Sequence, residues 1–354
     1  VTSDDSGTAH AGHLGDDDTD ATVTSRSLRG PRLSAHRDAG DAWVVAPDGT
    51  RYWGRFGAAG LVVHDPGRGV LLQHRASWSH HGDTWGVPGG ALHEAEAAFA
   101  GACREAAEEA DVPAALLEPV ASVVLDRGVW RYTTVIARAT SPFEARAADA
   151  ESHELRWVPI DEVDSLPLHP GFGAAWELLR SVIGLPRIAV VVDVANVVGS
   201  VPDGWWRDRR GAAERLIHRL ALWSEAGDDL LDEQAPTVQG PWDEALAIAS
   251  SKGLALEAAA TLIAVVEGEA RGALAPNIGE ERRGALEVVA AAGAGDDAIV
   301  DRVRALTGAF LGGASTPGSS VVVVTSDREL RRRVEAAGAV TVGTRWLLDR
   351  LPPS

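Results

Sequence analysis

Three glutamates, Glu105, Glu108 and Glu109, stand three and four residues apart in a stretch that reads as helix. Those positions share one helical face, so their carboxylates converge. Like charges so placed repel and would weaken an isolated helix. A hard divalent cation with oxygen ligands, Mg2+ or Mn2+, turns that repulsion into coordination. Such a cation bridges phosphate oxygens and lowers the pKa of a bound water, which suits hydrolysis of a phosphoanhydride. Arg104 is placed to orient one of the carboxylates. A bare acidic cluster is more often a solvated helix face; here a glycine pair, Gly89-Gly90, and Glu96 precede it at fixed distances.

A second group of acids recurs where apolar runs end. Ile188–Val192 leads into Asp193, with Asn196 three residues on; Val321–Thr325 leads into Ser326-Asp327; Gly295-Asp296-Asp297 opens a helical stretch. In an open α/β sheet the carboxyl ends of the strands form the ligand crevice, so these acids can gather although far apart in sequence. Taken singly, Asp296, Asp297 and Asp327 also read as helix caps. Together they suggest a divalent cation and phosphoryl chemistry. Arg207, Arg209 and Arg210 follow the first of these runs, and Arg328, Arg331, Arg332 and Arg333 follow Asp327. Arginines there suit a nucleic-acid backbone, although residues 187–354 are net acidic and the same arginines read as ordinary helix surface.

Two architectures are expected to position these groups. Between Trp43 and Ile183 short strands (59–63, 70–74, 119–125, 130–137 and 154–158) combine with helices near 96–110 and 173–183, an α+β layer. After a break at Gly184-Leu185-Pro186 the rhythm changes. Strands at 188–192, 261–266, 286–290, 321–325 and 340–342 alternate with helices near 211–224, 296–306, 329–337 and 345–351. That alternation predicts a parallel sheet with helices on both faces. Residues 225–251 read as a partly helical insertion. Residues 1–40, rich in Ser, Thr, Gly and Asp, read as a disordered acidic tail.

Composition bounds the rest. The chain of 354 residues has 45% hydrophobic and 24% charged residues, ordinary for a globular protein of two domains. One cysteine, Cys103, excludes a disulfide framework and points to a reducing compartment. No run has the continuous apolar character a bilayer needs, and Asp4 and Asp5 stand where a signal peptide carries basic residues, so the expected location is the cytoplasm, with no membrane partner. A net charge of −18 does not attract nucleic acid as a whole, so phosphate binding must rest on local sites.

The run from Gly90 through Glu96 to Arg104-Glu105-Ala106-Ala107-Glu108-Glu109 resembles the Nudix hydrolase box, and Trp85-Gly86-Val87-Pro88-Gly89-Gly90 resembles the turn that enters it. The resemblance spans about residues 41–184. It implies an α+β Nudix fold, a mixed sheet between helices. Glu105, Glu108 and Glu109, with the carbonyl of Gly89, would bind the metal, and Glu151 or Glu154 would assist. Glu96 would pair with Arg104 in a structural role. Trp85, Gly90 and Glu154 would meet the substrate; Trp53, Trp78 and Trp85 are candidates to stack on a base, and each also reads as core. Asp111 stands where the family has glycine, at a helix end where a left-handed residue is usual.

Val192-Asp193-Val194-Ala195-Asn196, Gly295-Asp296-Asp297 and Val323-Val324-Thr325-Ser326-Asp327 resemble motifs of the NYN branch of PIN-like ribonucleases. That resemblance covers residues 187–354 and implies a separate α/β domain. In it Asp193, Asp296 and Asp327 would bind Mg2+, with Asn196 and Asp297 in support and Glu267 as a loose match for a further acid.

The leading expectation is metal-dependent hydrolysis of a nucleoside diphosphate derivative, of the nucleoside triphosphate pyrophosphohydrolase type, beside a PIN-like domain that cleaves or binds RNA. Two alternatives stand. One is a ribonuclease whose Nudix half recognises a nucleotide or RNA end. The other is a nucleotide sensor without catalysis.

Overall fold

The computed structural model describes residues 39–79, 81–148, 151–185, 188–226, 241–273, 286–311 and 320–353. Most of the expected tail, His80 and residues 227–240 of the expected insertion lie outside them. A short antiparallel hairpin comes first, β1 (Trp43–Val45) with β2 (Arg51–Trp53). The main N-terminal elements follow: β3 (Ala58–Asp65), β4 (Gly69–Arg75), β5 (Trp85–Gly86), β6 (Gly89–Ala91), α1 (Ala98–Ala110), β7 (Leu117–Asp126), β8 (Arg131–Ala139), β9 (Ser152–Val158) and α2 (Pro170–Ile183).

These strands form a mixed sheet. β3 and β8 run parallel, while β7–β8, β3–β4, β3–β6, β4–β5 and β4–β9 are antiparallel. Alternation along the strands sorts side chains to two faces. Ala59, Leu61, Val63 and Leu71 pack with Ala102, Cys103, Ala106 and Ala110 of α1. Val62, Val70 and Leu72 face the other way, into a core shared with Trp176, Leu178, Leu179 and Val182 of α2. The small residues on the inner face of α1 let the helix lie close to the sheet, which brings its glutamates to the strand ends.

The second half contains β10 (Ile188–Asp193), α3 (Val194–Gly199), α4 (Arg209–Ala226), α5 (Pro241–Ser251), β11 (Ala255–Ala258), β12 (Ala260–Val266), β13 (Leu286–Ala290), α6 (Gly295–Leu311), β14 (Ser320–Val324), α7 (Arg328–Ala336), β15 (Val340–Val342) and α8 (Thr344–Leu348). Its own sheet is parallel throughout, in the order β13-β12-β10-β14-β15. Val191, Ile263, Val321 and Val323 face α6 and α7, whereas Ile188, Val190 and Val192 face residues of α3, α4 and α8. Helices therefore cover both faces, as the β-branched runs predict.

One connection was not anticipated. β11 leaves the second half and pairs antiparallel with β7, from Ala255 opposite Val124 to Ala258 opposite Ala121. It thereby extends the first sheet at its edge. Lys252 reaches Glu177 on α2 at 2.9 Å. Trp242, Ala245, Ala249 and Leu256 join the same buried cluster as Val120, Val123 and the α2 residues. The two sheets are distinct, but one apolar core runs between them.

Candidate active site

The helix expected from Glu96 begins two residues later, at Ala98, so Glu96 lies in the loop before α1. There its Oε2 accepts the His93 N–H at 2.9 Å and faces Arg104. The Arg104 guanidinium donates to both Glu96 oxygens at 2.9 Å, to Glu105 Oε1 at 2.7 Å and to the Ala91 carbonyl at 2.9 Å. This fork fixes the loop, the strand end of β6 and one carboxylate of the box together. Burial pushes the Glu96 carboxyl up, but the Arg104 bonds and the His93 N–H outweigh it and hold it below its ordinary value. For Glu105 burial wins: its carboxyl is raised, with Arg104 opposing and Glu108 adding to the rise.

Gly90 is glycine for a reason visible here. A Cβ on it would lie 2.5 Å from the Glu105 carboxyl carbon, so the carboxylate occupies the space a side chain would need. Glu109 turns inward and is only 9% exposed. Its Oε2 accepts the Gly89 N–H at 3.2 Å and the Gln73 Nε2–H at 3.3 Å. Glu108 is exposed on the outer side of the same helical face. Gly89 sits in β6 opposite Gly60 of β3, and the Tyr132 hydroxyl lies where a Cβ on Gly60 would be. Burial pushes the Tyr132 phenol up to about 12, with Arg75 opposing and Glu109 adding.

α1 ends as the sequence suggests. Asp111 takes a left-handed conformation, φ 53° and ψ 34°, and the N–H of Val112 closes onto the Ala106 carbonyl at 3.2 Å. Aspartate tolerates that region less well than glycine. Asp111→Gly is therefore expected to stabilise the protein by about 0.5–1 kcal/mol, read as a rise of about 1–3 °C in the thermal unfolding midpoint.

Other expected site residues fall elsewhere. Trp85 is 5% exposed, stacked on His74 at 4.8 Å with the Arg156 guanidinium 4.3 Å from its ring centre, so its ring offers no open face to a base. Trp78, by contrast, is 52% exposed. Glu154 pairs with His74 across β9 and β4, and strand alternation puts its side chain on the sheet face away from α1. It does not join the α1 glutamates. Gln73, which sequence reasoning passed over, does touch them. Its signal was a polar residue closing the apolar run Val70-Leu71-Leu72.

In the second half the strand-end acids do converge on one edge. Asp193 is buried; its Oδ2 accepts the Thr325 hydroxyl at 2.9 Å and its Oδ1 the Asn196 N–H at 3.1 Å. Asn196 Oδ1 accepts the Ser326 N–H at 2.8 Å. Asp327 caps α7 through the N–H groups of Glu329 and Leu330, both at 2.8 Å. Glu267, directly after β12, accepts the Gly295 N–H at 2.6 Å, which ties it to the start of α6. Asp296 stands in the first turn of α6, and its neighbour Asp297 is held by Arg333 at 2.5 Å. Burial, with the charges of Asp296 and Glu267 adding, raises the Asp193 carboxyl. Burial followed by the charge of Asp327 raises that of Asp296.

Among the described residues no three acidic, His or Cys side chains are gathered as a metal ion would hold them. In α1, Glu105 is turned back to Arg104, Glu109 inward and Glu108 outward. The donor set nevertheless fits a hard divalent cation. It is all oxygen, lies on one helical face, and has the Gly89-Gly90 backbone packed against it.

Part of the chain is similar to known proteins. The NUDIX domain model matches residues 54–181. A putative 8-oxo-dGTP diphosphatase 3 of Mycobacterium tuberculosis is 42% identical over 217 residues, 58% of this chain and 91% of that protein. A nucleoside triphosphate pyrophosphatase/Nudix hydrolase fusion protein of Bifidobacterium longum is 39% identical over 171 residues, 46% of this chain and 34% of that protein. The crystal structure of a Nudix hydrolase from M. smegmatis, RenU, is 48% identical, covers 40% of this chain and 94% of that one, and has a TM-score of 0.37. The chain belongs to the Nudix hydrolase family, enzymes acting on acid anhydrides in phosphorus-containing compounds. Enzymes of this family use divalent metal ions. Among the described residues no helix is long and apolar enough to cross a membrane.

Proposed function

We propose that this chain hydrolyses the diphosphate linkage of a nucleoside triphosphate, with oxidised dGTP as the first candidate. The observation that carries the reading is the face of α1 that bears Glu105, Glu108 and Glu109, with Glu105 against Gly90 and Glu109 against Gly89 of β6. The names of the similar proteins support the substrate class. Mg2+ or Mn2+ would be held by the three carboxylates and the Gly89 carbonyl; when bound, it neutralises the diphosphate and acidifies a water.

The chain's own residues do the rest. Arg104 fixes Glu105 and Glu96, and the Gly89 N–H and Gln73 fix Glu109. In the reaction a water oxygen bonds to phosphorus, the bridging P–O bond breaks, the leaving phosphate takes that electron pair, and a glutamate takes the water's proton. The single cysteine, buried in the core, suits a reducing cytoplasm. A panel of nucleoside triphosphates, oxidised nucleotides, nucleotide sugars and dinucleoside polyphosphates, incubated with Mg2+ and with Mn2+ and resolved by chromatography, tests the reading. Conversion of a triphosphate to monophosphate and pyrophosphate is expected. No turnover of any member would refute it.

A second reading is favoured by one observation, the carboxyl edge of the parallel sheet, where burial and then the charges of Asp296 and Glu267 raise the Asp193 carboxyl, and burial and then the charge of Asp327 raise that of Asp296. On it, the C-terminal half is a PIN-like nuclease that binds or cleaves RNA, and the Nudix half recognises a nucleotide or RNA end. Metal-dependent cleavage of labelled RNA that Asp193→Asn abolishes and Glu109→Gln spares would establish it.

A further inference from the structure

Trp206 is 57% exposed, the most exposed tryptophan among the described residues. Its backbone is nevertheless firmly held. Asp203 Oδ1 accepts the Trp205 N–H at 3.0 Å, and Asp208 Oδ1 accepts the Gly211 N–H at 2.9 Å, so a carboxylate fixes the chain on either side. The Trp205 ring lies 3.8 Å from where a Cβ on Gly199 would stand, at the end of α3, and meets the Trp206 ring edge-on at 6.3 Å. Trp205 anchors the segment, and Trp206 stands out from it.

The charges beside this indole are unusual for a chain with 51 acidic and 33 basic residues. Arg210 pairs with Glu214 at 2.8 Å and Arg215 with Asp203 at 3.9 Å. Arg207 and Arg209, both exposed, pair with no carboxylate among the described residues; Arg209 lies 5.7 Å over the Trp205 ring. The segment also has a definite place. Arg210 Nη1 is 3.3 Å from where a Cβ on Gly272 would stand, and the turn Gly268–Gly272 directly follows Glu267 and β12. Arg271 of that turn donates to the Gly293 carbonyl at 2.9 Å, just before α6. Residues 205–210 therefore border the carboxyl edge of the parallel sheet.

An exposed indole flanked by two unpaired guanidiniums offers a stacking face for one flat ring and contacts for the phosphates on either side of it. Bases in a duplex bury their faces against one another, so only a single strand can use the indole. An anionic membrane fits less well: it sets a broad negative surface against a chain of net charge −18, whereas a single strand need touch only this segment. We propose that residues 205–210 bind single-stranded RNA, with one base stacked on Trp206 and the flanking phosphates on Arg207 and Arg209. This surface rests on the second reading above, that the C-terminal half meets RNA.

The test is fluorescence anisotropy of a short labelled RNA of mixed sequence titrated with the full chain in EDTA, which stops metal-dependent cleavage and leaves binding to be read. Wild type, Trp206→Ala and the double variant Arg207→Gln, Arg209→Gln are compared at several salt concentrations, each beside its thermal midpoint. Trp206→Ala is expected to weaken binding at least about fivefold, with its salt dependence unchanged. The double variant is expected to flatten the slope of log Kd against log salt by about 0.7 for each arginine removed. A duplex of the same sequence is expected to bind more weakly than the single strand. All three side chains are exposed, so midpoints are expected within about 2 °C of wild type.

Unchanged affinity in Trp206→Ala, an unchanged salt slope in the double variant, or a duplex bound as tightly as the single strand would overturn the proposal. So would tighter binding of single-stranded DNA of the same sequence. Trp206-dependent binding to phosphatidylglycerol vesicles without binding to RNA would overturn it too, and assign the surface to a membrane. With Mg2+ in place of EDTA, RNA cleavage that Asp193→Asn abolishes and Trp206→Ala leaves at the wild-type rate would overturn the role of Trp206 and leave the nuclease reading standing. RNA neither bound nor cut would overturn both.

Discussion

Glu109→Gln is expected to lower nucleotide hydrolysis by about 10²–10³-fold, a loss of about 2.7–4 kcal/mol of transition-state stabilisation. Glu109 is the least exposed of the box glutamates: it is nine-tenths buried, and its Oε2 receives N–H groups from Gly89 and Gln73. An amide in its place keeps the shape and an oxygen for those two donors, so the fold should survive. What it removes is the negative charge, and with it the hard ligand and the base for the water's proton that the proposed mechanism assigns to this carboxylate. The expected signature is a fall in kcat at an unfolding midpoint within about 3 °C of wild type. Steady-state kinetics beside thermal unfolding reads both.

The second large effect concerns stability. A chain ended after Leu185 keeps every residue of the box, yet it is expected to aggregate, or to melt more than about 10 °C below the full chain. The cut removes β11, whose backbone pairs with β7, and so leaves an apolar sheet edge open. It also uncovers the side of the core that Trp242, Ala245, Ala249 and Leu256 close. A side chain such as Leu256 contributes about 1.5–3 kcal/mol when buried, against a total stability of about 5–15 kcal/mol. Leu256→Asp in the full chain tests the same contact by burying an unpaired charge at the junction, with an expected loss of about 3 kcal/mol or more. A fragment that melts like the full chain would show that the second half is an independent appendage.

Much of this molecule is legible in its sequence. The Gly90–Glu109 spacing placed α1 and its glutamates, and the β-branched runs 188–192 and 321–325 announced a parallel sheet. These signals are local: side-chain period and residue type suffice. What escaped depends on pairing between distant segments. β5 and β6 are two and three residues long and exist because β4 and β3 supply their partners. β11, Ala-Leu-Glu-Ala, has no strand-like composition and is a strand only because β7 lies beside it. Gln73 lies inside the strand expected at 70–74 with no mark of a site residue, and only the approach of α1 reveals its contact with Glu109. Trp85 reads either as a platform for a base or as core, and the packing of His74 and Arg156 encloses it as core. Asp111, by contrast, was legible through the resemblance, which has glycine there, and its left-handed backbone fits that helix end.

The central claim, that the acid face of α1 hydrolyses a nucleoside triphosphate, meets its most direct test in one comparison. Purified full-length protein and Glu109→Gln are each incubated with 8-oxo-dGTP and Mg2+, and monophosphate and pyrophosphate are quantified over time. The account predicts steady release of both products by the wild type and a rate about 10²–10³-fold lower for the variant. Equal rates from the two proteins would contradict it.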